Sequence, residues 1–294
     1  NDVDDVRLWI ESNGNVTVRQ TWVEDNDITS TIGMQIGTDG NVVVAGGGFN
    51  HNGNTGMIVI AQGTISVTLT DSGASQNDGR GLSLENTSAA GSKSVTVDGG
   101  EYSGNDSVGI NVLSNGVITL KNLTANDNDV TGAYLSNNTS PGSPGVSVLK
   151  TRSGWTNEFD ENGDIGLFIL TKGAVSIKNT QANSNDSFGI RIQNTGTGSV
   201  TLNQVSANSN CSDVVSNAGI RISTYGSVSL TDVTANTNGD GSHANSGLVM
   251  DNTPGGLSNK PVTVRNGTFN GNFGTGMGIN SLSSITLTNV AASS

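Results

Sequence analysis

Apolar residues along this chain fall on alternate positions in short runs, separated by Gly, Asn, Ser and Asp. One run reads Gly, apolar, any residue, apolar: GMQI from Gly33, GMIV from Gly56, GLSL from Gly81, GINV from Gly109, GAYL from Gly132, GLFI from Gly166, GIRI from Gly189 and again from Gly219, GLVM from Gly247 and GMGI from Gly276. A second run reads apolar, Thr or Ser, apolar, and ends at Val18, Val44, Leu69, Val97, Leu120, Val148, Ile177, Leu202, Leu230, Val264 and Leu287, with Val43 the one exception in the middle. Alternation over a few residues is the period of a half-buried strand and not of a helix. Val, Ile and Thr inside the runs, with Gly, Asn, Ser and Asp between them, are strand and turn chemistry.

The spacing between runs is as regular as the runs. An Asn stands eight residues beyond the end of the second run at Asn26, Asn52, Asn77, Asn105, Asn128, Asn185, Asn210, Asn238 and Asn272, and Asn162 keeps the place after a six-residue insertion. A third short strand fits just before the Asn, in LTA at Leu123, VSA at Val205, VTA at Val233 and GTF at Gly267. Three residues before the Asn lies an apolar filler: Phe49, Ala74, Tyr102, Ala125, Phe159, Ala182, Ala207, Ala235 or Phe269. No such unit can bury its apolar face alone, so successive units must stack. The pattern predicts an all-β parallel β-helix (β-solenoid) of about eleven coils with three short strands per coil. Ile190, Ile192, Ile220 and Ile222 should point inward and Arg191 and Arg221 outward, since neighbours on a strand take opposite faces. The Asn residues should form a buried ladder at a turn, each amide bonding backbone groups and the Asn of the next coil.

FNHN at Phe49, FDEN at Phe159 and FNGN at Phe269, alternating with the Gly tetrads, resemble the F-x-x-N and G-G-A-I repeats of polymorphic outer-membrane proteins and related surface adhesins. More broadly, the pattern resembles right-handed β-helix proteins of the pectin-lyase-like class. The resemblance implies a right-handed coil. It covers the whole chain, and its motifs report the geometry of a rung.

An uninterrupted repeat makes residues 1–294 a single elongated domain, a rod about 53 Å long at the spacing of paired strands. A net charge of −12 with 13 Lys and Arg disfavours nucleic acid and anionic membrane as partners. No apolar run is long enough to insert directly into a bilayer. The single Cys211, in a loop insertion, cannot form an internal disulfide. Sequons at Asn15, Asn122, Asn137 and Asn266 fit an extracellular or cell-surface protein; those at Asn105, Asn185 and Asn210 belong to the ladder, where no glycan is expected.

Enzymes on this scaffold need paired carboxylates, or a Ca²⁺ site with a base. Arg191 and Arg221 stack on one outer face with Asn111, Tyr134, Phe168 and Val249 beside them, but two solvated arginines explain the pattern as well. His51 and His243 stand in turns without a third ligand at metal spacing. Asp2, Asp4 and Asp5 with Glu24, Asp25 and Asp27 offer the hard oxygen ligands that Ca²⁺ takes, against the simpler reading of a solvated acidic end. In the insertion at 150–162, Trp155 beside Arg152, Glu158 and Asp160 suits carbohydrate contact, against the simpler reading of a ring covering its own loop. A column of outward Thr and Ser, Thr17 and Thr68 among them, is what strand propensity alone would select. No catalytic, cofactor or metal residue is assigned on this basis.

The preferred expectation is therefore a non-catalytic extracellular rod, an adhesin segment or filament subunit that contacts carbohydrate or a neighbouring cell surface. A carbohydrate-active enzyme, polysaccharide lyase or glycoside hydrolase, is the alternative. End-to-end self-association is expected too. The Asn after Leu287 would fall at position 295, in phase with Asn1 of a following copy, and an acidic head (seven acidic and two basic side chains in residues 1–30) faces a weakly cationic tail (one acidic and two basic in 251–294).

Overall fold

The computed structural model describes residues 6–26, 28–70, 72–211, 217–240, 242–253 and 260–293. Its strands pair in parallel throughout and wind into eleven coils. The first face is an eleven-stranded sheet running from Val6–Ser12 through Ile32–Thr38 and Met57–Ala61 to Met277–Ser281. The Gly tetrads set its register: Leu8, Met34, Met57, Leu82, Ile110, Ala133, Leu167, Ile190, Ile220, Leu248 and Met277 stand in one inward rank. The second face carries the Thr and Ser runs, from Val16–Trp22 to Ile285–Thr288. Among the described residues no helix is long and apolar enough to cross a membrane.

The expected third strand is present, although often fused to the second. Val16–Trp22, Val175–Gln181, Val200–Ser206 and Val228–Thr234 each turn the corner within one strand, at Gln20, Asn179, Gln204 and Asp232, whose φ values are 48°, 49°, 54° and 53°. Elsewhere the third face is a short separate strand, such as Asn157–Glu158 or Thr268–Asn270, or single bridges that join Gly73, Glu101, Thr124 and Glu158. The filler residues behind it, from Phe49 to Phe269, are fully buried.

The Asn ladder is continuous. Each Nδ2 donates to the Oδ1 of the next Asn from Asn26 through Asn52, Asn77, Asn105, Asn128, Asn162, Asn185, Asn210 and Asn238 to Asn272, at 2.9–3.2 Å. From Asn52 onward each backbone N–H bonds the same oxygen as well. The ladder also explains the tetrad glycine. A Cβ at Gly189 would run into the carbonyl of Ala182 and come within 2.7 Å of the Asn210 amide.

Two expectations are corrected. In the third coil the second-face strand is Ile65–Thr68, with Ser66 and not Thr68 beside Val43 and Thr96, so the run ends at Val67 and Asn77 lies ten residues beyond it. ISVTL alternates without a break, so a two-residue shift leaves every side chain on its face and the pattern alone cannot register it. The sequons also divide differently. Asn122 and Asn137 are fully buried and bond side chains or backbone, which leaves Asn15 and Asn266 as the exposed pair.

Among the described residues no strand pairs with the outer edges of Val6–Ser12 and Met277–Ser281, and the inward-phase residues Ile285 and Leu287 of the last coil are 43% and 49% exposed.

Candidate functional site

The outward rank of the first face places Asn111, Tyr134, Phe168, Arg191, Arg221 and Val249 side by side on consecutive coils. Tyr134 meets Phe168 edge-on, with centroids 5.2 Å apart and planes at 68°. The Arg191 guanidinium lies 4.9 Å from the Phe168 centroid and 5.4 Å from that of Phe188, and Arg221 lies 5.9 Å from Phe188. Phe188 comes from the turn just before a Gly tetrad and is almost fully buried, so it holds both arginines from below.

No described carboxylate comes within ion-pair distance of either guanidinium, and the buried Nε of Arg191 has no hydrogen-bond partner. Burial first, and the neighbouring Arg221 second, press the Arg191 pKa down, against the attraction of Asp164. Burial raises the Asp164 carboxyl above its ordinary value, opposed by a hydrogen bond with Ser187 and by Arg191, while Asp186 adds to the rise. Asn217 Nδ2 donates to Ser187 Oγ at 2.9 Å, which fixes that hydroxyl. Along the same strands, Gln193, Ser223 and Tyr225 line a shallow depression of about 290 Å³. The arrangement is a cationic strip with an aromatic flank and one carboxyl of raised pKa.

A pH dependence follows. Asp164 and Asp160, the latter raised mainly by burial, both have folded-state pKa values above the ordinary 3.8. The native state therefore binds more protons than the unfolded chain in this range, and the stability these groups contribute is present below their unfolded pKa and lost as pH rises through the folded one. Urea midpoints measured from pH 3.5 to 7 should show this decline, and an Asp160→Asn, Asp164→Asn double variant should flatten it. An unchanged slope would contradict the assignment.

The insertion residues are brought together in part. Arg152 pairs with Asp98 at 3.1 Å and covers the Trp155 ring at 5.7 Å. Glu158 stands in the third-face strand, beside Thr124 and Gln181. Of the acidic cluster, Asp2, Asp4, Asp5 and Asp27 lie outside the described residues. Glu24 accepts a hydrogen bond from Asn50 at 2.7 Å, and Asp25 lies 3.6 Å from His51. His243 bonds Asp240 within its own loop at 2.9 Å. No group of three metal-ligating side chains forms among the described residues. Cys211 is buried, which pushes its thiol up to about 12 and removes it as a nucleophile.

The rank of Arg191 and Arg221 was legible from the tetrads. Phe188 was not, because a turn position carries no periodic signal. Only the Phe-Gly-Ile-Arg order in one copy, against Ala-Gly-Ile-Arg in the next, could have pointed to it.

No curated protein sequence matches this chain. Among solved structures, the A-module of the Azotobacter vinelandii mannuronan C-5 epimerase AlgE6 is similar at a TM-score of 0.61 and 12% identity, over 97% of this chain and 80% of that one. The periplasmic alginate epimerase AlgG is similar at 0.53 and 12% identity, over 99% and 79%. At such identity the likeness is one of fold. The family model described as "Right handed beta helix region" matches residues 109–292, more than half of the sequence, and the chain belongs to that family.

Proposed function

We propose that this chain is an exported carbohydrate-active protein that binds an acidic polysaccharide across its first face, with a uronate carboxylate between Arg191 and Arg221. The observation that carries the reading is the pair of adjacent guanidinium groups with no described carboxylate at ion-pair distance, on a chain whose net charge is −12. Two like charges carried on neighbouring strands, whose backbones stand about 4.8 Å apart, repel each other, and an anionic ligand relieves that repulsion. A carboxylate would also give the Arg191 guanidinium charge-assisted hydrogen bonds. Tyr134 and Phe168 extend the strip with apolar surface suited to a sugar ring.

The neighbours' descriptions, epimerases of mannuronan and alginate and in one case periplasmic, support the carbohydrate-active and exported parts of this reading. The preference for a non-catalytic rod gives way to the alternative accordingly. Chemically, neutralising a uronate carboxylate acidifies the C–H bond beside it. Removal of that proton leads either to return of a proton on the other face, which is epimerisation, or to loss of the 4-linked oxygen as a hydroxyl, which is β-elimination. Asp164, beside the arginines, is the group we assign to take that proton as a carboxylate; in β-elimination the resulting carboxylic acid hands it to the departing O4, and in epimerisation solvent on the opposite face supplies the new C–H proton.

Titration calorimetry with oligomannuronate and oligogalacturonate tests binding, and incubation in deuterium oxide followed by NMR tests proton exchange at C5. Each of Arg191→Ala and Arg221→Ala should weaken uronate binding about tenfold and the pair about a hundredfold, at roughly 1.4 kcal/mol per decade. Absence of uronate binding, or binding and exchange that the double variant leaves intact, would overturn the reading.

A further inference from the structure

We infer that the third face carries a separate groove for a neutral oligosaccharide, headed by Trp155 and floored by glycine. The residue just before each filler points outward, and over the first six coils this rank reads Trp22, Gly48, Gly73, Glu101, Thr124, Glu158. At Gly48 and Gly73 the rank has no side chain; the Glu24 carboxylate lies over Gly48, and the surface sinks at Gly73, beside Glu101. The corners of the second and fourth coils carry no side chain of their own, with Gly46, Gly47, Gly99 and Gly100 at φ values of 73°, 110°, 77° and 97°. These glycines are obligatory. A Cβ at Gly73 would run into the carbonyl of Glu101, and one at Gly47 into that of Thr21.

Two depressions adjoin at Ser72 and Glu101, with Gly73 and Gly104 in the larger and Gly100 in the smaller, and together they make the groove. The larger, about 460 Å³, runs past Ser75, Gln76 and Ser103 to Asp127. The smaller, about 200 Å³, ends against Trp155 and Thr124. Trp155 reaches it because the insertion of the sixth coil folds back across the corner toward the fourth. Asn122 fixes that course: its Oδ1 accepts the N–H groups of Thr151 (2.8 Å) and Arg152 (3.0 Å), and its Nδ2 donates to Asp98 (2.9 Å) and Thr151 Oγ1 (2.8 Å). With Arg152 pinned to Asp98 behind it, the indole is pre-positioned and still 37% exposed. A ring that only covered its own loop would need neither the anchored backbone nor an open depression against it.

The lining selects the ligand class. An exposed indole stacks on the C–H face of a sugar. Hydroxyl and amide groups satisfy sugar hydroxyls in both directions, and Glu101 and Asp127, acceptors only when ionised, take hydroxyl donors. His51, which also lines the larger depression, lies 3.6 Å from Asp25; Glu24, whose carboxylate lies over neighbouring Gly48, adds negative charge, and Arg152 is committed to Asp98. Such a groove repels a uronate and suits a neutral chain. The inference does not depend on the arginine face, whose charge is opposite.

The test is calorimetry of the full chain with neutral tetrasaccharides of β-1,4-linked glucose, mannose and N-acetylglucosamine, beside tetragalacturonate. At least one neutral tetrasaccharide should bind. Trp155→Ala should weaken it at least tenfold and Glu101→Gln severalfold, both with an unchanged circular dichroism spectrum, and the Arg191→Ala, Arg221→Ala double variant should bind it as the wild type does. Failure of all three neutral probes, retention of affinity in Trp155→Ala, or loss in the arginine variant would overturn the groove, and a uronate lost only in Trp155→Ala would overturn the ligand class. Because each site has its own variant and probe, either can fail alone.

Discussion

Replacing Asn185 by Leu is expected to destabilise the coil by about 3–5 kcal/mol, because each buried polar group left without a partner costs about 1–3 kcal/mol. Asn185 is fully buried. Its Oδ1 accepts both the backbone N–H (2.9 Å) and the side-chain amide (2.9 Å) of Asn162, and its Nδ2 donates to the Asn183 carbonyl (3.1 Å) and to Asn210 (3.0 Å). Leucine removes all four bonds and returns none. Hydrogen exchange alongside urea unfolding would locate the loss, since a solenoid can open locally at a weakened interface. The comparison is Asn26→Leu at the open end, where the amide is half-buried and its loss should cost less than about 1 kcal/mol, as for a solvated hydrogen bond. Equal effects at the two positions would refute a cooperative buried ladder.

The ladder was legible because the Asn, the filler and the tetrad glycine serve one geometric unit. The glycine is small because the next Asn amide occupies the space a Cβ would take, so neither residue can drift without the other. Legibility failed where that coupling is absent. The third coil was misregistered by two residues because period-two alternation is blind to a shift of two. Asn122 and Asn137 looked like surface sequons because a motif of three residues says nothing of burial, and each is a buried clamp holding a loop.

The functional surfaces divide in the same way. Arg191 and Arg221 share a strand rank and could be paired from the repeat, but that no described carboxylate stands at ion-pair distance depends on what the turns place nearby. Trp155 could be flagged, but not its groove. The insertion folds back over coils that precede it, and a bare floor is written as glycines that read, in sequence, as ordinary turn residues.

The core and the groove meet at Phe159, and Phe159→Ala is expected to cost about 3–5 kcal/mol, the range for emptying an aromatic site in a packed core. The filler column runs Phe49, Ala74, Tyr102, Ala125, Phe159, Ala182, Ala207, so Tyr102 and Phe159 each lie between two alanines. Phe159 is held in that column by its own N–H to the Gln181 carbonyl at 3.0 Å, next to the Ala125 N–H to the Glu158 carbonyl at 2.8 Å. It also terminates the insertion, directly after the strand Asn157–Glu158 and before Asp160, which accepts the Asn183 N–H at 2.6 Å. Emptying the site should therefore loosen the loop that carries Trp155 as well as the core, weakening neutral-sugar binding while leaving the arginine face unchanged. Moving the ring one coil along separates the two effects. In the Phe159→Ala, Ala182→Phe variant the large residue again lies between two alanines, the one introduced on the sixth coil and Ala207 on the eighth, so most of the lost stability should return, as volume-conserving repacking allows. The seventh coil has no insertion to anchor, so groove affinity should stay low. Thermal unfolding and calorimetry on the single and double variants decide the matter: a double variant no more stable than Phe159→Ala would show that the column does not tolerate exchange of large and small, and full recovery of sugar affinity would show that the loop does not depend on Phe159.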